Sequence, residues 1–450
     1  MRLIHTSDWH LGRSLHGVDL LEYQAAYLDH LVELVRDRRP AAVLVAGDVY
    51  DRAVPPVGAV QLLEESLTRL AELTRVVVIS GNHDSATRLG FGSRLMRPEI
   101  KLFTRLGQVG QAVEVPDPAG GPGALVYPIP FLDVYAAAEH FGTDETPIAR
   151  THEAVFAVAA ERIRADLARR GLAEGARPNR EEDGEVGLRR RGELGGVNGR
   201  TVAGNGRTPA EEQGEAGDGR GRTAAGNNDS TIRGDRPAVV AMAHAFVVGG
   251  EGSESERDLT VGGIATVPAG VFAGMDYVAL GHLHGPQRIA APEAQAIRYS
   301  GSPLAFSFSE AGHVKSTAVV RLEPNGAEVE LVPAPVPRPM SEAQGSLEEL
   351  ESSRFDGVAD HWLRVTVTDR SRPEDLVQRI ARRFPHALVT RHLPKGLAAA
   401  GPGGKVTAAS DPTQVVAQFL EFAGGAPPSQ NELREIGLAL EAVQAAGSAS

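Results

Sequence analysis

Five short polar clusters carry the residue types that could do chemistry: Asp8-Trp9-His10, Gly47-Asp48-Val49-Tyr50-Asp51, Gly81-Asn82-His83-Asp84, the lone His244, and Gly281-His282-Leu283-His284. They offer two Asp carboxylates (Asp8, Asp48), one amide oxygen (Asn82) and four imidazoles (His10, His244, His282, His284) as candidate metal ligands. This mixed oxygen and nitrogen set suits Mn, Fe or Zn and is too rich in nitrogen for Ca or Mg alone. Seven ligands are too many for one tetrahedral ion. They suit two ions that share a carboxylate, and Asp48 is central enough to be the bridge. Two ions about 3.5–4 Å apart form a clamp for phosphate-ester hydrolysis, in which one activates water and both stabilise the transition-state charge. Each cluster alone is weak evidence. Asp-x-His is common, Gly-Asn-His-Asp also reads as a turn, and a single His at a strand end is usually structural. Their value lies in their joint placement.

That placement depends on the elements. Leu3–Ser7, Ala42–Ala46 and Val76–Ile79 read as buried strands, separated by helical spacing over 20–39 and 55–73, the second with Pro in its opening turn. Strand and helix alternation with fully apolar strands predicts an α/β fold with a parallel sheet covered on both faces. Further strands are expected at Ala124–Pro128, Ala238–Ala243, Asp276–Leu280, Ala296–Ser300 and Thr317–Leu322, and a helix over 151–170. Every cluster then falls just past the carboxyl end of a strand, the edge where sites assemble in open α/β sheets. The remaining nine histidines lack such company; His5, inside a strand, is expected to pack in the core. Residues 171–235 hold 16 Gly and no Phe, Tyr or Trp. They read as a disordered, low-complexity insertion, because they bury too little apolar surface to offset ordering entropy. Four prolines at 333–339 suggest a linker. A small βαβ unit follows (strand 361–368, helix 373–384, strand 387–391), then a Gly/Pro/Ala-rich spacer and two helical patterns near 412–422 and 431–445.

The order Asp-x-His, Gly-Asp-x-x-Asp, Gly-Asn-His-Asp, His, Gly-His-x-His resembles the calcineurin-like metallophosphoesterase superfamily. Within it, the runs His5-Thr6-Ser7-Asp8-Trp9-His10-Leu11-Gly12, Gly281-His282-Leu283-His284-Gly285 and Tyr299-Ser300-Gly301-Ser302-Pro303-Leu304 are similar to those of SbcD-type nuclease subunits of bacterial SbcCD complexes. The resemblance is strong over 1–170 and 236–325 and extends to the C-terminal part by layout only. The long insertion departs from the family, where this connection is short. The resemblance implies a β-sandwich flanked by helices (four layers, αββα), with a small α+β cap and C-terminal helices. The domains expected are a nuclease domain over 1–335, interrupted by 171–235, a cap over 340–395 and a helical tail over 411–450. It also implies one metal, Mn by preference, on Asp8, His10, Asp48 and His284, and a second on Asp48, Asn82, His244 and His282. His83 would then touch the phosphate and assist the leaving oxygen, a role that suits an imidazole near pKa 6.5. Asp51 would orient His83 or raise its pKa, or else cap a turn. Arg13, Arg52 and Arg88 sit beyond motif loops, as phosphate contacts or as solvated surface. The turn holding Ser302 would line the substrate groove or be a plain tight turn.

The family reading implies a Mn-dependent DNA phosphodiesterase of DNA repair, recombination and replication. It would be a 3′→5′ exonuclease on double strands and an endonuclease on single strands or hairpins. Its partner would be an SMC-like ATPase of the SbcC type, docked by the terminal helices (Val415, Val416, Phe419, Leu420; Leu433, Ile436, Leu440, Val443), with a homodimer inside a heterotetramer. Two alternatives compete. One keeps the site but acts on a small phosphodiester or a phosphoprotein; the other is a non-catalytic DNA tether, whose mark would be lost ligands. The chain has 450 residues, no cysteine and 46 basic against 58 acidic residues, a net charge of −12. Absent cysteine excludes disulfides, thiolate zinc, iron–sulfur clusters and a thiol nucleophile. The acidic balance excludes non-specific coating of nucleic acid but not a local site, since two divalent ions would add about +4 where the phosphate sits. No apolar run approaches the roughly 18 residues of a membrane span, and no secretory leader is visible, so a cytoplasmic protein without membrane contact is expected.

Overall fold

The computed structural model describes residues 1–172, 236–256, 266–291, 295–323, 326–336, 338–395, 411–424 and 428–447. The expected insertion lies, from residue 173 to 235, outside the described residues, as does the spacer at 396–410.

Two six-stranded sheets face each other. The first runs in the order Gly326–Pro333, Ser316–Glu323, Arg2–Thr6, Ala42–Ala46, Arg75–Ile79, Ile100–Phe103. The second runs Gln287–Ile289, Ala296–Tyr299, Tyr277–Gly281, Ala238–His244, Ala124–Pro128, Val113–Val115. Period-two alternation decides what each face meets. In Ala42–Ala46, Val43 and Val45 join the cluster under helices Leu21–Arg38 and Val57–Ala71, with Leu28, Leu31, Leu63 and Leu67. Ala42, Leu44 and Ala46 point the other way, to a core shared with Val126, Val240, Met242 and Tyr277 of the second sheet. Helix His152–Arg169, N-capped by the Thr151 hydroxyl, covers that sheet's outer face through Val155, Phe156, Ala159 and Ile163. The layers are thus helix, sheet, sheet, helix.

The sequence reading needs three corrections here. The first sheet is mixed, because Ser316–Glu323 runs antiparallel to Arg2–Thr6 on one side and to Gly326–Pro333 on the other, and the sheet's inner face is covered by a sheet rather than by helices. Helix Val57–Ala71 starts after both prolines, with Pro56 as its N-cap. The small C-terminal unit holds more than one βαβ: strand Met340–Gly345 and the capping-box helix Leu347–Glu351 precede strand Trp362–Val367, helix Leu376–Arg383 and strand Ala387–His392, giving three parallel strands. Met340 and Trp362 seat this unit on the larger one, packed with Leu15, Leu20, Leu304, Phe306 and Phe308. Helices Pro412–Gly424 and Gln430–Gly447 follow. Among the described residues, no helix is long and apolar enough to cross a membrane.

Candidate metal centre

The two sheets bring their carboxyl ends to one point. Strands Arg2–Thr6, Ala42–Ala46 and Arg75–Ile79 of the first sheet lead into Asp8 and His10, Asp48 and Asp51, and Asn82 and His83. Strand Ala238–His244 of the second ends on His244, and Tyr277–Gly281 leads into His282 and His284. Close approach is possible because Gly281 has no side chain: a Cβ there would sit 1.9 Å from the Ala46 carbonyl oxygen. Four of the seven candidate ligand residues hold positive φ, Asp8 at 54°, His10 at 45°, Asp48 at 49° and His282 at 106°. Such conformations cost energy in non-glycine residues and cluster at functional sites.

Asp48 is the hub. Its Oδ2 lies 3.6 Å from His10 Nε2, 3.5 Å from His244 Nε2 and 3.9 Å from His83 Nε2. Its Oδ1 accepts the His83 amide at 2.9 Å. The ligand atoms of Asp8, His10 and His284 lie within 4.8 Å of one another, as do those of Asp8, Asp48 and His244. His10 Nε2 and His284 Nε2 are 3.1 Å apart. Two imidazole nitrogens aimed at each other at that distance, beside buried carboxylates, form a chelating donor set that a divalent cation fits. Asn82 Oδ1 joins the other side, 2.9 Å from His244 Nε2. The His282 ring stands 5.4 Å from that of His244, and its amide faces both Asp8 oxygens at 3.0 and 3.2 Å.

The electrostatics agree with a site built for cations. Burial raises the Asp8 carboxyl to about 6 against the pull of His244 and His284. Burial would also raise Asp48, but His244, His10 and His83 outweigh it and hold it well below the usual carboxylate range. Burial would lower His244, yet Asp48 and Asp8 hold it up at about 9. His10 and His282 are driven down mainly by burial, His282 to about 3, which keeps their nitrogens unprotonated and able to bind a cation.

The remaining candidates fall in different places. His83 Nδ1 lies 2.7 Å from the main-chain oxygen of Asp51, so the contact between these two residues runs through the backbone. The Asp51 carboxylate lies instead 3.8 Å from His10 Nδ1 and 3.5 Å from Arg13. Arg13 donates to the Ser255 carbonyl at 3.2 Å and stacks 4.7 Å over Phe306. Arg88 donates to the Ala53 carbonyl at 3.0 Å, and Arg52 is exposed. Ser302 is fully buried, its hydroxyl donating to the Leu304 carbonyl and accepting from Lys315, so the groove-lining reading of this side chain gives way to the tight-turn one. His5 packs in the core, as its place inside a strand suggested.

Two groups escaped the sequence reading. Asp84 accepts the amides of Val49, Tyr50 and Gly81 at 2.9–3.1 Å and so ties the second motif loop to the third. The other is a cluster around His284 of half-buried Ser255 and Glu256 and buried Glu310 and Lys315. A signal for it existed: 42 of the 46 basic residues are Arg, which makes a Lys directly before a strand unusual in this chain.

Residues 1–138 match the family model of the calcineurin-like phosphoesterases, a stretch that holds every site residue up to His83. Residues 336–423 match the SbcD C-terminal model, described as the type 5 capsule protein repressor C-terminal domain, which spans the small three-stranded unit and runs into the first terminal helix. Among solved structures, the crystal structure of TT1561 of Thermus thermophilus is similar at 12% identity over 73% of this chain and 98% of its own, with a TM-score of 0.34, too low to bear on the fold. The chain thus joins a stretch that matches the calcineurin-like phosphoesterases to a stretch that matches the SbcD C-terminal domain.

Proposed function

We propose that the protein is a DNA nuclease that uses two divalent ions, Mn by preference, and cleaves as a 3′→5′ exonuclease on double strands and an endonuclease on single strands or hairpins. One ion is held by Asp8, His10, Asp48 and His284, the other by Asp48, Asn82, His244 and His282. The observation that carries this reading is the ring of imidazole nitrogens around Asp48 Oδ2, in a chain that also matches the SbcD C-terminal model. Bound there, the ions supply Lewis-acid stabilisation of a phosphorane-like charge and an activated water.

The chain's own residues do the rest. The Asp51 carbonyl can only accept, so it holds the proton on His83 Nδ1 and fixes the ring with Nε2 toward Asp48. When protonated at Nε2, His83 hands that proton to the departing 3′ oxygen. Arg52 and Arg88 are the candidates for contacts to flanking phosphates, and Arg13 braces Phe306 and the Ser255 segment behind the ligands. The unit over 340–395 serves as a DNA-facing cap. The helices over 411–450 dock on an SMC-like ATPase of the SbcC type, and two copies of the chain pair inside that cytoplasmic complex. Exposed Phe419, Leu433 and Leu438 support the docking, and exposed Val54, Val57, Phe91 and Leu95 support the pairing.

The test is a cleavage assay with Mn, Mg and Zn on blunt, hairpin and single-stranded DNA, with and without the ATPase, beside a small phosphodiester. Mn-dependent cleavage of DNA is expected; turnover of the small ester alone would overturn the reading. His83→Gln should keep both ions and lose about 100-fold or more in turnover. Asp48→Ala should lose ions and activity together, by elemental analysis and by rate. An Asp48→Ala protein that still holds two Mn per chain would show that the carboxylate does not bridge.

A further inference from the structure

The two halves of the centre are held in different ways. On one side, His244 is fixed by main chain, its Nδ1 lying 2.9 Å from the Ala46 carbonyl oxygen. On the other, His284 is fixed by side chains from two remote segments. Ser255 Oγ lies 2.6 Å from His284 Nδ1 and also contacts Glu310 Oε1. Glu310 Oε1 is itself 3.5 Å from that Nδ1. Lys315 Nζ contacts Glu310 Oε2 and donates to the His284 carbonyl at 2.9 Å and to Ser302 Oγ at 3.0 Å. Glu256 Oε1 accepts the His284 amide at 2.8 Å. Phe306 packs edge-on against both His10 and His284, at 5.1 and 5.3 Å.

The proton positions in this cluster follow from its members. An ammonium has three protons, and Lys315 has three acceptors around it, so it is charged. Its charge is balanced by an ionised Glu310, which can only accept. Ser255 Oγ also lies 3.0 Å from Ser253 Oγ, but the Glu310 carboxylate is closer and is the stronger acceptor, so the single Ser255 proton goes to Glu310 and a lone pair accepts from His284. His284 therefore carries its proton on Nδ1 and turns a bare Nε2 toward His10 Nε2, 3.1 Å away. Neither Glu310 nor Ser255 reaches the site itself.

We propose that Glu310, charge-balanced by Lys315 and acting through Ser255, is a positioning residue that sets the tautomer and orientation of His284 and thereby tunes one of the two cation sites and not the other. This rests on the reading that Asp8, His10, Asp48 and His284 hold one cation. Outer partners of ligating histidines are typically worth about 10- to 100-fold in metal affinity. Here that factor should fall on one equivalent of metal only, because the His244 side takes its support from the backbone.

The experiment is a Mn titration of the full-length, metal-free protein by equilibrium dialysis with elemental analysis. It compares wild type with Ser255→Ala, Ser255→Thr and Glu310→Gln, and records the melting temperature of each metal-free protein. Two Mn per chain are expected for wild type. Ser255→Ala and Glu310→Gln should weaken one equivalent by about 10- to 100-fold and leave the other unchanged. Ser255→Thr keeps the hydroxyl and should restore wild-type binding. If Glu310→Gln does not fold, because it strands the Lys315 charge, Ser255→Ala and Ser255→Thr decide alone. The proposal is overturned if both equivalents keep wild-type affinity, or weaken in parallel, in Ser255→Ala. A wild type that binds fewer than two Mn overturns the two-ion reading first, and this inference with it.

Discussion

Asp51 shows how much a single residue's role depends on which of its atoms makes the contact. Close behind Asp48 and not in the ligand set, it reads in sequence as a carboxylate partner for His83. The structure puts its carbonyl oxygen on His83 Nδ1 and its carboxylate between His10 and Arg13. Asp51→Asn keeps the carbonyl. We therefore expect the limb of the pH–rate profile that reports His83 to stay within about 0.3 units of wild type, while Mn affinity on the His10 side drops by a few-fold. A profile shifted by a full unit would show that the carboxylate governs His83 after all. Gly281 makes the opposite point, since its contribution is the lack of a side chain. A Cβ would meet the Ala46 oxygen at 1.9 Å and His244 Nδ1 at 2.9 Å, and neither backbone nor packed ligand can yield cheaply. Gly281→Ala should cost about 1–3 kcal/mol or more, read as a lower melting temperature, and should cost Mn binding as well.

At the scale of elements, the strands hold the site rigid and carry a pH liability of their own. His5, inside Arg2–Thr6, is wholly buried, its Nε2 donating to the Leu280 carbonyl at 3.2 Å and its Nδ1 accepting from the Tyr277 hydroxyl at 2.8 Å. Burial above all holds it down at about 3. The folded state thus refuses a proton that the unfolded chain takes up below about pH 6.5. Stability attributable to this residue is full above that pH and falls by about 1.4 kcal/mol per unit as pH drops toward 3. His5→Gln removes the liability. The gap in unfolding free energy between wild type and His5→Gln should shift by about 2 kcal/mol in favour of the variant between pH 8 and pH 5, measured from denaturant midpoints. A gap independent of pH would mean that His5 titrates normally. The long helices Leu21–Arg38, Val57–Ala71 and His152–Arg169 were legible because their apolar spacing is long and regular, whereas the short ones Val134–Phe141 and Leu347–Glu351 were not. The short edge strands Ile100–Phe103, Val113–Val115 and Gln287–Ile289 were not, because three or four residues give no periodicity to read.

At the scale of the whole molecule, the small C-terminal unit leans on the metal centre's own supports. Trp362 packs against Tyr23 at 5.0 Å and lies in one cluster with Phe306 and Phe308, and Phe306 in turn touches His10 and His284. Truncating so large a buried side chain typically costs about 3–5 kcal/mol. In Trp362→Ala the loss falls on the junction, since the small unit keeps its own core of Leu347, Leu350, Leu363, Val365, Ile380 and Phe384. Calorimetry should then resolve two transitions where wild type gives fewer, with cleavage of long DNA reduced more than cleavage of a small ester. A single, merely lowered transition would show that the two units unfold together regardless.

The sequence by itself determined the candidate ligand types, their order and their place at strand ends, because chemistry-bearing residues sit at fixed offsets from apolar runs that local periodicity makes readable. It also determined that any metal must be met by oxygen and imidazole nitrogen, since the chain has no cysteine. Tertiary structure alone decided which atoms meet. His244 and Ala46 are 198 positions apart, His284 and His10 274, and Asp48 becomes a hub only once two separate sheets close on it. The same holds for Ser255, Glu310 and Lys315, which fall near no motif and matter only through His284. Side-chain shells of this kind are invisible in a linear reading because long-range packing, not local spacing, brings their members together.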